Sequence, residues 1–139
     1  MKIAVIDGHG GGIGVAVVKG LREEFRESIE IIALGTNATA TSAMLKARAN
    51  KGATGENAIV TMAPKVSLIL GSLSIISANS MLGELTPKMA EAIASSPAEK
   101  ILIPMTQERL SVVGVVQEPL PHLVEEMIKL VRKRVMADV

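Results

Sequence analysis

Lys2 to Ile6 is a short apolar, β-leaning run that a glycine cluster cuts off, which predicts a first strand. From Ile13 the apolar residues Ile13, Val17, Leu21 and Phe25 recur every four positions, with Lys19, Arg22, Glu23 and Arg26 elsewhere on the circumference, the pattern of an amphipathic helix. Ile29 to Leu34 predicts a second strand. Gly35-Thr36-Asn37 closes it and offers N-caps for an Ala/Met/Leu-rich helix running to about Ala49. Asn50 to Glu56 is expected to turn, and Asn57 to Ala63 to form a short helix halted at Pro64. Val66 to Leu70 and Ile101 to Ile103 are the third and fourth strands; between them Thr86 caps a helix with Pro87 in its first turn. Val112 to Val116 is expected as a fifth strand. The stretch from Pro104 to Ser111 is too short for a parallel crossover, so this strand is predicted antiparallel to the fourth. A last helix opens at Pro121 and carries Leu123, Val124, Met127, Ile128, Val131 and Val135 on one stripe. Alternating strands and helices predict an α/β three-layer sandwich of right-handed crossovers, a mostly parallel sheet with a C-terminal antiparallel strand, over residues 1–139 as a single domain.

Composition narrows the chemistry. The 139 residues are 48% hydrophobic and 21% charged, enough for a packed core. Fifteen Lys and Arg against fourteen Asp and Glu leave a net charge of +1, and no basic run is available for nucleic acid. With no Cys, the chain has no disulfide, thiolate nucleophile, cysteine zinc site or iron–sulfur ligand. It has no Tyr and no Trp, and Phe25 is its only aromatic residue, so there is no platform for stacking bases and no tyrosine proton donor. The first residues carry too short an apolar run for a secretory signal, which points to the cytoplasm. Val66 to Gly83 is uncharged, but its serines, Asn79 and two glycines argue for a buried strand and a polar turn over a membrane span.

Asp7-Gly8-His9-Gly10-Gly11-Gly12-Ile13-Gly14 is the strongest local signal. Placed between a strand and a helix, such a loop lets backbone N–H groups converge on an anion at the helix N-terminus. The G-x-G-x-x-G fingerprint fails at Ile13, and the Walker pattern fails because Val15-Ala16 follows Gly14. Gly8, Gly12 and Gly14 do fit G-x-x-x-G-x-G, and over about the first 35 residues the chain resembles the cofactor loop of short-chain dehydrogenases. That resemblance breaks where no acid closes the second strand and where the chain lacks a tyrosine altogether. The candidate ligand contacts are Asp7, Gly8, Gly10, Gly11, Gly12 and Gly14. Thr36, Asn37, Gly71, Ser72 and Asn79 are expected to form a neutral hydrogen-bonding wall at the neighbouring strand ends. Asp7 suits a Mg²⁺ ion or a ligand hydroxyl, or equally the capping of its own loop. His9, Asp7 and Glu84 are the acid/base candidates, Glu56 is a further loop carboxylate, and His122 reads as structural.

Taken together, the glycine loop, Leu34-Gly35-Thr36-Asn37, Ala53-Thr54-Gly55-Glu56-Asn57-Ala58-Ile59-Val60, Ala78-Asn79-Ser80-Met81-Leu82-Gly83-Glu84 and Pro119-Leu120-Pro121-His122-Leu123 resemble an uncharacterised family of small stand-alone Rossmann-like bacterial proteins, a domain of unknown function found mainly in anaerobic Gram-positive bacteria. The resemblance implies the fold but brings no activity, ligand or catalytic residue. The residues themselves point to a small-molecule anion, a nucleotide or other phosphate or carboxylate ligand, held on the Gly8–Gly14 loop. Two alternatives stay open: a structural or partner-binding module whose glycine loop is architectural, and a small enzyme using His9 or Asp7. No metal, nucleic acid or membrane partner is expected. A homodimer is, with Asn79 to Glu84 near its interface and the Met89 to Ile93 helix supplying surplus apolar side chains.

Overall fold

The computed structural model describes residues 1–106 and 108–138. In chain order the elements are β1 (Lys2–Asp7), α1 (Gly12–Phe25), β2 (Glu30–Gly35), α2 (Ala38–Lys46), β3 (Lys51–Thr54), α3 (Glu56–Met62), β4 (Leu68–Ser72), α4 (Pro87–Ser95), β5 (Glu99–Ile103) and α5 (Leu120–Ala137). The strands form one sheet in the order β3-β2-β1-β4-β5, with every neighbouring pair parallel. Helices flank it on both sides. That order is the first five strands of the doubly wound dinucleotide-binding sheet, and its direction of winding reverses between β1 and β4.

Because successive strand residues point to opposite faces, each strand feeds two cores. Ile3 and Val5 of β1, Ile31 and Ala33 of β2, and Leu68 and Leu70 of β4 face α1 and α5, meeting Val17, Leu21, Val124 and Val131. Ala4, Ile6, Ile32, Leu34 and Ile69 face the other way, onto Ile59 of α3 and Met89 and Ile93 of α4. The helix starts follow local chemistry. Asn37 accepts the Ala40 N–H at 2.8 Å to open α2, and Thr86 Oγ1 accepts the Met89 N–H at 3.2 Å ahead of Pro87 in the first turn of α4.

Three expectations are corrected. Val112 to Val116 is not a strand, and no antiparallel strand occurs among the described residues. Gly114 adopts φ +85°, a left-handed conformation that ends an extended run, and the valines around it are exposed. β-Branched composition alone misled there. Conversely, the turn expected at Asn50 to Glu56 contains β3, which pairs Ile32 with Lys51 and Gly35 with Thr54. Lys-Gly-Ala-Thr carries no apolar pattern because this edge strand is held by its ladder and by α2 above Gly52. The apolar side chains expected to be in surplus on the Met89 to Ile93 helix are also accounted for, since Met89, Ala90 and Ile93 are buried in the core. Within Asn79 to Glu84, by contrast, Leu82 is 100% exposed. No helix among the described residues is long and apolar enough to cross a membrane.

Candidate functional site

The glycine loop leaves the C-terminal end of β1 and is braced from below by Asp7. One carboxylate oxygen accepts the Gly8 N–H at 2.8 Å and the other the Gly14 N–H at 2.6 Å, so a single buried side chain ties the loop's two ends together. Burial raises the Asp7 carboxyl above its ordinary value, outweighing the two amides and the nearby His9, which pull it down. Of the two roles considered for Asp7, the observed geometry is the cap.

The five glycines separate into two kinds. A Cβ on Gly8 would lie 2.4 Å from Met81 Sδ and 2.5 Å from Thr36 Oγ1, and one on Gly14 would lie 2.6 Å from Met44 Sδ and 3.0 Å from Asp7 Cβ. Gly11, the N-cap of α1 at φ +78°, is pressed against Ala40 of α2 at 3.0 Å. These three are required by close packing and, at Gly11, by the left-handed turn. Gly10 and Gly12 are different: neither has a positive φ, and a Cβ on either would meet nothing within 4 Å.

Above Gly10 and Gly12 opens a cavity of about 340 Å³ at the reversal point between β1 and β4, where open α/β sheets place ligands. Ser72 at the end of β4, Ser74 two residues on, and Thr106 beyond β5 supply its hydroxyls; Ile13, Met81 and Met105 supply apolar wall. Gly11 N donates to Gly8 O at 2.9 Å, while the N–H groups of Gly10, Gly12 and Ile13 meet no acceptor among the described residues. Those of Gly12 and Ile13 form the amino end of a 14-residue helix, whose dipole favours negative charge, and Gly10 lies just ahead of its N-cap.

The expected polar wall divides between this cavity and a second cluster. Only Ser72 of that set lines the cavity; it accepts the Ser74 N–H at 3.2 Å, and Ser74 Oγ donates to Thr106 Oγ1 at 3.1 Å. Thr36 and Asn37 turn instead to Glu84. Glu84 Oε1 accepts from Thr36 Oγ1 at 2.6 Å, Asn37 Nδ2 at 2.8 Å and the His9 N–H at 3.0 Å. Partial burial pushes this carboxyl up, yet those donors and the nearby His9 together hold it below its ordinary value. Glu84 is therefore engaged as a latch fastening the 77–85 loop, and Met81 with it, over Gly8. His9 stands at the rim, its side chain exposed and its Nε2 4.0 Å from Glu84 Oε2. Gly71 is a packing glycine, 2.8 Å from Ile6 O if given a Cβ, and Asn79 is exposed outside the cavity at φ +66°. Glu56 receives the Thr86 hydroxyl at 2.7 Å, joining α3 to the start of α4. His122 pairs with Glu118 at 2.8 Å on the surface of α5.

Outside the glycine loop, six lining residues escaped the sequence reading: Glu108, Gln117, Ser74, Met81, Met105 and Thr106. The last two follow the C-terminal end of β5, next to β4 in the sheet, and a hairpin assignment for that segment hid them. No group of three His, Cys, Asp or Glu suited to a metal ion occurs among the described residues.

The loop, the reversal point and the cavity fix the class of fold. The chain belongs to the family described as Domain of unknown function (DUF3842), whose model matches residues 2–136. No curated protein matches it. Among solved structures it is similar to a dodecameric FMN-dependent UbiX-like decarboxylase from Escherichia coli O157:H7, at 14% identity and a TM-score of 0.47, covering 96% of this chain and 75% of that one.

Proposed function

We propose that this protein binds a small molecule through a phosphate or carboxylate group seated on the N–H groups of Gly10, Gly12 and Ile13. The observation that carries this reading is the division of the glycines. Packing accounts for Gly8, Gly11 and Gly14 but not for Gly10 and Gly12, which have open space beside them and border the cavity. An architectural loop would not need glycine there, whereas an anion approaching the backbone does. Ser72 and Ser74 lie across the cavity as further hydrogen-bonding groups. Asp7 braces the loop and also lines the cavity, Glu84 latches the loop from outside it, and His9 at the rim is the group placed to exchange a proton if a reaction follows binding.

The test is a thermal-shift titration with inorganic phosphate on the native protein and on Gly12→Val. Gly12 has an ordinary φ and open space, so the variant is expected to fold with a stability change within about 1 kcal/mol while losing its response to phosphate. An undiminished response in the folded variant refutes the reading.

A further inference from the structure

The cavity has features that an inorganic anion would leave unused. At about 340 Å³ it lies at the lower end of the range of small-molecule pockets, much larger than a phosphate needs. Loop amides and the hydroxyls of Ser72, Ser74 and Thr106 give it polar groups, while Met81 and Met105 line it with flexible thioether side chains that adapt to apolar shapes. The apolar character continues outward. Glu108 and Gln117 both line the cavity, and the chain between them carries Val113 at 99% exposure, Val116 at 71%, and Leu110 and Val112 at 49% each. Five aliphatic residues left open in one short loop, bracketed by two residues of a cavity wall, are more than scattered surface apolarity.

Charge and composition limit the ligand from the other side. No Lys or Arg is among the described lining residues, and the carboxylate of Glu108, which accepts the Met81 N–H at 3.3 Å, is present at the rim. Such a site suits one anionic group on the helix end and disfavours a polyphosphate chain. Phe25, the only Phe, Tyr or Trp, closes α1 at its far end, so the one ring among the described lining residues is the imidazole of His9 at the rim, a small platform for a nucleobase.

We infer that the ligand is an amphiphile, a single phosphate or carboxylate on an aliphatic body, with its head on Gly10, Gly12 and Ile13 and its body along Met81 and Met105 toward the 110–116 loop. This rests on the loop being the anion site, as proposed above, and goes beyond it in naming what the anion is attached to. Burying apolar surface against the methionines supplies the selectivity, since each methylene removed from water strengthens binding severalfold.

Calorimetric titration of the native protein with inorganic phosphate, AMP and n-hexyl phosphate separates the two statements. Hexyl phosphate is expected to bind at least about tenfold tighter than either of the others, and Met105→Gln to narrow that margin while leaving the response to inorganic phosphate in place. Equal or tighter binding of AMP than of hexyl phosphate, with phosphate still bound, overturns the aliphatic ligand and leaves the anion site standing. A margin unchanged in a folded Met105→Gln variant overturns the placement of the body. No heat with any of the three overturns both.

Discussion

The two ends of α1 handle the same problem in opposite ways. At the carboxyl end Arg22 is 6% exposed and faces no acid. Its Nε donates to Arg48 O at 2.8 Å, Nη1 to Arg26 O at 2.7 Å and Ile29 O at 3.2 Å, and Nη2 to Asn50 Oδ1, which also receives the Ile31 N–H at 2.7 Å. The carbonyls just past α1 and α2 carry the negative ends of both helix dipoles, and one buried guanidinium neutralises them while pinning the start of β2. At the amino end the only side chain of the chain that meets the positive pole, among the described residues, is Asp7 on the Gly14 N–H, and the N–H groups of Gly10, Gly12 and Ile13 open onto a cavity. A terminus saturated from within is structural. One left open beside a cavity is where recognition belongs.

That contrast can be broken by mutation. The largest effect is expected for Arg22→Met, which strips the donors from three carbonyls: about 3 kcal/mol or more of stability lost in urea unfolding, with the thermal response to phosphate retained in what remains folded. Asp7→Ala leaves the Gly8 and Gly14 N–H groups without acceptors and should lose about 2 kcal/mol and the phosphate response together, since it braces the open end. A variant as stable as the native protein would mean that Asp7 does not serve as a cap. Within the loop, Gly14→Ala should lose about 1–3 kcal/mol because Met44 and Asp7 must give way, whereas Gly10→Ala should leave unfolding within about 0.5 kcal/mol.

The smallest effect concerns pH. Glu84 is held below its ordinary value of 4.5, so the stability it contributes is present above that value and is lost as pH falls through its folded value. Asp7 is raised above its ordinary 3.8, so its contribution has the opposite sign, complete below that value and lost as pH rises through the folded one. Glu84→Gln should therefore flatten the acid side of a stability profile measured from about pH 6 to about pH 3. An unchanged slope would show that the latch contributes nothing there.

Much of the fold was legible because buried parallel strands are continuous apolar runs, as in Lys2 to Ile6 and Ile29 to Leu34, and because Asn37, Thr86 and Pro87 announce helix starts through short-range hydrogen bonding. β3 was not, since an edge strand of Lys-Gly-Ala-Thr is defined by its ladder to β2, which no local pattern records. Val112 to Val116 failed in the opposite sense: propensity promised a strand, and the left-handed Gly114 prevents one. At the site, the glycine loop marked its own position, but the sequence could not separate the packing glycines from the open ones, a distinction made by Met44, Met81 and Ala40 from distant segments. Nor could it show that Glu84, 47 residues beyond Asn37, takes up the hydrogen bonds of the second strand's end.

The sheet order also governs how the chain comes together during synthesis. β1, the first strand made, lies at the centre, pairing Ile3 with Ile31 on one side and with Leu68 on the other. Once β3 has been made, a nascent half of three strands and two helices has its segments in hand, yet the far edge of β1 stays unpaired until β4 follows. An apolar strand with an open edge is a template for intermolecular pairing, and parallel contacts over such separations form slowly. Refolding from denaturant should accordingly become less efficient as protein concentration rises, through capture of that interim edge by another chain.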